Sequence, residues 1–402
     1  MGLPARRMRL LFGLDMRKAI INTAVSACLS LAAPNVFSHE PVTEARTPIN
    51  IPSPAGLVTL KCDFHIHTVF SDGLVWPSVR AQEAWREGLD AIAITDHIEY
   101  QPHKADVSTN HNRAYEIAQK SGAELDLLVI RGSEITRKMP PGHLNAIFLT
   151  NAAALAVSNW QDAVTAALGQ GAFIFWNHPG WEAQITNGIV RWYAEHTQLL
   201  EQGALHGIEV VNGREYYPEA HRWAIEKKLT MLSNSDIHSP LNMDYHTHAG
   251  DRRPLTLVFA RERSAAALQE ALQKRRTAVY ADGRLIGEEQ YLAPIFAQSL
   301  EIKNRQITLK GKQQVLVQIA NHSSLDYELA LAAELEQVKI PKKLVLAGGK
   351  TVLLRIAGKD ASLKGARKLS LPYMVKNLLI GPEKYLPANL EFDITFVPTP
   401  AK

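Results

Sequence analysis

Residues 57–67 read LVTLKCDFHIH, with Thr68 next. The segment reads as a buried strand except that Asp63, His65 and His67 occupy alternate positions. Period two places those three on one face and Cys62, Phe64 and Ile66 on the other, outward and packing. Three ionisable groups on one strand face are costly to bury unless something neutralises them. A metal ion at the strand's end would do so, and Asp72 follows closely in FSDG.

Working outward, short apolar runs recur as far as Tyr280: AIAIT, LLVIRG, NAIFLT, AFIFW, GIEVV, LTMLS and LTLVFA. Helical patterns lie between several of them, at 77–88, 112–122, 159–169, 218–228 and 264–274, with Pro, Asn or Ser at the start. Seven or eight strand–helix units predict a mostly parallel sheet rolled into a closed or nearly closed barrel. Chemistry-bearing residues sit at the ends of the runs: Asp96-His97, Ser133-Glu134, Asn177-His178 and Asp236-Ile237-His238. Strand C-terminal ends converge in such barrels, so these distant residues are expected to meet.

The chain has 402 residues, 46% apolar and 21% charged, an ordinary globular composition. Residues 1–38 are set apart. Arg17 and Lys18 precede an apolar run from Ala19 to Pro34, the pattern of an export signal rather than a membrane span. Val25-Ser26-Ala27-Cys28 also fits a lipoprotein cleavage site, but the apolar run continues past Cys28 and places cleavage near Ser38. These residues hold five of the 44 basic and one of the 40 acidic side chains, which leaves 39 of each. A neutral mature chain gives no electrostatic footprint for nucleic acid. Cys62 is the one cysteine left, so no internal disulfide forms, and the expected location is secreted or periplasmic.

After Gly287 the helical patterns stop, and segments such as QVLVQIAN, TVLLRIAG and LEFDITFV alternate like strands. The expected organisation is a signal over 1–38, a linker over 39–56, a barrel over 57–293 and a small antiparallel β-sandwich over 294–402.

Nine residues are candidate metal ligands: His65, His67, Asp72, His97, Glu134, His143, His178, Asp236 and His238. Mixed imidazole and carboxylate without thiolate suits zinc, manganese or iron rather than calcium. The set exceeds the needs of one ion, so two or three divalent ions are expected. Such ions bring the pKa of bound water down to about 7, and a pair about 3.5–4 Å apart clamps a phosphoryl group in displacement. Hydrolysis of a small phosphoester by a metal-bound hydroxide follows from this chemistry.

The order DFHIHT, SDG, TDH, GSE, GH, NHP, IEVVNG, SDIH resembles the polymerase and histidinol phosphatase (PHP) family over about residues 58–282. The resemblance implies a distorted (β/α)7 barrel with a three-metal phosphoesterase site. It implies one ion on His65, His67, Glu134 and Asp236, a second on Glu134, His143 and His178, and a third on Asp72, His97 and His238. The run DHIEYQPHK is similar to a secreted branch that includes phosphodiesterases. Asp236 is expected to assist as proton acceptor and His103 to help the leaving oxygen depart. Asp63, Asp96 and Asn177 are expected to orient ligands, and Lys104 and Arg214 to touch an anionic substrate. Two other readings are a catalytically inert, metal-dependent binding module and a polymerase-type exonuclease. His246 and His248 read as a solvated loop, Glu209 and Asn212 as hydrogen bonding at the barrel rim, and Cys62 as packing.

Overall fold

The structure, a computed structural model, describes residues 45–400, so the expected signal lies outside the described residues. The barrel begins with β1 (Val58–Asp63), α1 (Pro77–Arg86), β2 (Ala91–Ile94), α2 (Arg113–Glu124), β3 (Leu128–Ile135) and β4 (Leu144–Ile147). It continues with α3 (Trp160–Leu168), β5 (Phe173–Trp176), α4 (Ala194–Glu201), β6 (Gly207–Asn212), β7 (Glu215–Tyr216), α5 (Pro218–Glu226) and β8 (Thr230–Asn234). It ends with β9 (Leu255–Ala260), α6 (Ala265–Gln273), β10 (Thr277–Ala281), β11 (Arg284–Gly287) and α7 (Glu289–Ser299). Pro77 and Pro218 open their helices, and the Asn159 and Ser264 side chains accept from the Gln161 and Ala267 backbone N–H groups as caps.

Strands β1, β2 and β3 pair in parallel, as do β5, β6 and β8. Between the two sets β4 runs antiparallel to both neighbours, and β9 is antiparallel to β1. These reversals are the distortion of the barrel. Its last seam is closed by threonine hydroxyls: Thr256 Oγ1 bonds both backbone groups of Ser233, and Thr277 Oγ1 donates to the Met231 carbonyl. At the mouth, Asp236 N donates to His65 O and His67 N to Ile237 O.

The interior corrects one expectation. Cys62 and Phe64 do not face outward. They cluster with Phe173, Phe175 and Leu232 and with Ala267, Leu268, Ala271 and Leu272 of α6, while the sequence neighbours Ile174, Trp176 and Met231 pack in a separate cluster. Ile66, past the end of β1, joins the outer cluster. The mouth is therefore floored by buried rings, each worth roughly 1.5–3 kcal/mol of transfer free energy.

Two expectations about the margins also change. Helices do not stop at Gly287: α7 buries Leu292, Ile295, Phe296 and Ser299 along one face, despite Pro294 inside it, and it runs across the expected boundary at 293. The stretch expected as a linker is packed over its described part. Ile49 and Ile51 are buried, and Asn50 bonds Ser324 Oγ and the His322 carbonyl.

The remaining strands are β12 (Leu300–Ile302), β13 (Gln306–Lys310), β14 (Gln314–Asn321), β15 (Tyr327–Leu331), β16 (Val338–Lys339), β17 (Lys343–Leu346), β18 (Thr351–Gly358), β19 (Gly365–Gly381) and β20 (Lys384–Val397). One sheet has the order β12-β14-β18-β16, and the facing one is built on the long β19–β20 hairpin. Pairing is antiparallel except that β13 joins β20 in parallel, and β19 joins β11 of the barrel in parallel at Leu285–Leu378 and Ile286–Leu379. No helix among the described residues is long and apolar enough to cross a membrane.

Candidate metal centre

All nine expected ligands meet at the barrel mouth. His65 and His67 lie just past β1, His97 past β2, His178 past β5, and Asp236 and His238 past β8; Glu134 is the last residue but one of β3. His143 precedes its strand instead of following it. That is a consequence of β4 running backwards, which puts its N-terminal end at the mouth. His178 and Asp236 both have positive φ, 27° and 52°, so two ligands are held in sparsely populated backbone conformations of the kind found at functional sites.

Glu134 is the hub. Its Oε2 lies 3.3 Å from His65 Nε2, 3.2 Å from His67 Nε2 and 3.0 Å from His97 Nδ1. Asp236 Oδ1 is 3.1 Å from both His65 Nε2 and His67 Nε2, and those two nitrogens are 3.1 Å apart. Glu134 Oε1 turns the other way, 2.7 Å from His143 Nδ1 and 3.6 Å from His178 Nε2. A third group forms on Asp72 Oδ1, with His238 Nε2 at 3.3 Å, His97 Nε2 at 3.4 Å and His67 Nδ1 at 3.8 Å.

These residues fit divalent ions. Donors about 2.0–2.2 Å from a common ion stand roughly 3.0–3.5 Å from one another, the spacing seen here. Buried Asp72 Oδ1, His143 Nδ1 and Asp236 Oδ1 have no directed hydrogen bond even though donors lie close. Atoms aimed at a shared point, not at each other, produce that combination.

A layer of polar groups fixes the ligands. Asn177 Nδ2 donates to Glu134 Oε1 at 3.1 Å. Asp96 accepts from Thr68 N, Thr68 Oγ1 and Ser71 Oγ, each at 2.7 Å, and so pins the loop between His67 and Asp72. Asp63 accepts from Ser235 N and Oγ and from Arg253, and less closely from His65 N. Its side chain thus works on the backbone flanking both ligand strands. Glu209 accepts at Oε1 from Asn234 Nδ2 and faces His65 Nδ1, while its Oε2 accepts from His178 N and Asn212 Nδ2.

A PHP domain matches residues 63–233, and an Ig-like domain matches residues 300–391. A two-domain protein from Bacteroides vulgatus, containing a predicted PHP-like metal-dependent phosphoesterase, is 42% identical, with a TM-score of 0.82 over 87% of this chain and 100% of that one. The chain belongs to the PHP family. More distant structures include a protein from Bifidobacterium adolescentis classed among metal-dependent phosphoesterases, with 18% identity and a TM-score of 0.36 over 44% of this chain and 87% of that one. An amidohydrolase from Chromobacterium violaceum is 17% identical, with a TM-score of 0.33 over 45% of this chain and 88% of that one. No curated protein matches.

The PHP cage is electrostatically poised for cations. Burial would raise the Glu134 carboxyl, but His97, His65 and His143 hold it well below the usual range. Asp236 is likewise held low by His65, His67 and His178 against the effect of burial. His97 moves the opposite way: burial lowers it, but Glu134 and Asp72 push it up to about 11. Without ions, protons on imidazoles neutralise the carboxylates, and incoming cations displace them.

Other expected contacts fall outside the PHP cage. His103 and Lys104 lie in the turn after Tyr100, with no hydrogen bond or ion pair from either side chain to the cage among the described residues. Arg214 is tied up in ion pairs. Expected to meet an anionic substrate, it is engaged by Asp251 at 2.6 Å and Asp282 at 3.4 Å, and it lies over the Tyr245 ring. Arg80 was not anticipated. It is fully buried on α1 and donates to the carbonyls of His67, Ile237, His238 and Ser239, tying two ligand-bearing loops together. Its sequence signal was a cation on the face shared by Pro77, Ala81 and Ala84.

Proposed function

We propose that this chain is an exported phosphoesterase that hydrolyses a small phosphodiester or phosphomonoester. The observation that carries the reading is the division of Glu134, whose two oxygens serve two ligand groups while a third adjoins through His67 and His97. A cage for several cations at one mouth suits displacement at phosphorus, where charge must be stabilised on many oxygens at once. The likeness to a relative containing a predicted PHP-like metal-dependent phosphoesterase supports the same class.

Bound divalent ions would supply Lewis acidity and acidify water toward neutral pH. The chain's own residues do the rest. His65, His67, His143 and His178 present ring nitrogens that converge on Glu134 and Asp236. Asp236 Oδ2, which also accepts from Asn212 Nδ2 at 3.3 Å, is the acceptor that orients the attacking water. Phe64, Phe173 and Phe175 close the barrel below the cage and keep bulk water out from that side. The DHIEYQPHK similarity leans toward a diester as substrate, and the pattern of residues 1–38 toward export.

Three measurements test the reading: metal content of the processed protein, and turnover of p-nitrophenyl phosphate and of bis-p-nitrophenyl phosphate. Hydrolysis of the diester alone selects phosphodiesterase, and hydrolysis of the monoester alone selects phosphatase. Full metal content with no turnover of either removes the enzymatic reading. N-terminal sequencing of secreted or periplasmic protein tests cleavage near Ser38.

A further inference from the structure

We infer that the part of the substrate beyond phosphorus is an uncharged aromatic ring or similar flat group, stacked on Trp181 at the rim of the cage. The inference rests on the phosphoester reading and adds to it the chemical class of the ester group.

Trp181 is 42% exposed and Tyr100 is 53% exposed, although both stand directly against the cage. The Trp181 ring lies 5.2 Å from His178 and 5.6 Å from His143, tilted at 69° and 59°, so the indole meets the imidazoles of one ligand group steeply. Tyr100 meets His97 of another group edge-on, at 6.3 Å and 61°. His97 and His143 are themselves neighbours at 5.9 Å, so the two rings flank a continuous run of imidazoles. Neither the indole N–H nor the phenol hydroxyl has a partner among the described residues, so neither ring is held there by its polar tip. Scattered exposed apolar groups need no explanation, but two large rings bordering one cluster of ligands form a surface.

The charges around the mouth say what that surface is not for. Among the described residues the cage carboxylates form ion pairs only with imidazoles; no Lys or Arg reaches Asp72, Glu134 or Asp236. Gly180 and Glu182, the residues on either side of Trp181 in the chain, line an open trough of about 590 Å³ together with Glu215, Glu219, Tyr216 and Tyr217, a size that accommodates a small organic group. Three carboxylates there repel a polyanion such as a nucleic-acid backbone. They leave a neutral ring as the group that gains from the indole face. The trough begins at Gly180, where an added Cβ would sit 2.5 Å from the Tyr217 ring, so a side chain at that turn would disturb the wall.

The test uses the full processed protein loaded with metal, and calorimetric titration with two non-hydrolysable probes, phenylphosphonate and methylphosphonate. Phenylphosphonate is expected to bind about tenfold tighter, the scale of one ring stacked on an aromatic side chain. Trp181→Ala should bring phenylphosphonate down to the methylphosphonate level, and Trp181→Phe should keep most of the difference. Equal affinities in the unaltered protein, or a ratio untouched by Trp181→Ala, overturn the inference and leave the phosphoester reading standing. Binding of neither probe sinks that reading and the inference with it.

Discussion

His65 and Glu209 are joined across the barrel mouth, Nδ1 to Oε1 at 2.9 Å, with no exposed surface on either side chain. The carboxylate accepts a hydrogen bond from Nδ1–H and so leaves Nε2, which faces His67, Glu134 and Asp236, free for a cation. Because Glu209 also accepts from the His178 backbone at 2.7 Å, one buried side chain orients members of two ligand groups.

Glu209→Gln should therefore weaken metal binding by about 10- to 100-fold while the barrel still folds. Metal titration followed by competition with a chelator measures it. Unchanged affinity in a folded variant would reduce Glu209 to rim packing.

Asp236→Asn should lower kcat for the accepted p-nitrophenyl ester by at least about a hundredfold, the lower range for a lost proton-handling group. His246→Ala should leave kcat unchanged. His246 and His248 are exposed, with rings 5.9 Å apart, in a loop outside the cage. The reverse pattern would move the chemistry away from Asp236.

Arg80→Met should cost on the order of 3 kcal/mol of stability, because it strands four carbonyls and the Glu83 carboxylate that faces the guanidinium at 2.9 Å. Denaturant unfolding of the metal-free protein gives the value. A loss below about 1 kcal/mol would mean that water replaces the guanidinium at little cost.

Acid should destabilise the fold between about pH 6.5 and 4 through two histidines outside the cage. Burial lowers His196 and His221 to about 4 each. His196 Nε2 donates to the Pro141 carbonyl at 2.7 Å and its Nδ1 accepts from Tyr193 N, so a second proton would face an N–H. In that window the unfolded chain binds more protons than the folded one, so stability falls as pH falls and levels off below 4. The ceiling is about 3 kcal/mol per histidine. His196→Gln should flatten the profile relative to the unaltered protein, and superimposable profiles would contradict the assignment.

How much was legible in the sequence follows from how local each signal is. Most of the ligands could be read because they sit at the end of an apolar run, and strand ends converge wherever such runs form a barrel. The reversed direction of β4 could not, since NAIFLT has the same pattern in either orientation; only His143 standing before it hinted at the reversal. Helix α4 was missed because its buried positions are His196 and Leu199, too few apolar residues to show a period. Helix α7 was missed because Pro294 reads as a breaker, although Leu292, Ile295, Phe296 and Ser299 keep helical spacing. Arg80 and Glu209 act through buried hydrogen bonds to groups distant in sequence, and those bonds become visible only once the chain is folded.

The parallel pairing of Leu285 and Ile286 with Leu378 and Leu379 makes one hydrogen-bonded fabric of what could pass for an enzyme with an appendage. A cut between the halves would bare a strand edge on each and strip the cover from the outer side of α7. The C-terminal sheets are therefore expected to stay with the barrel on heating, so that both melt in a single step.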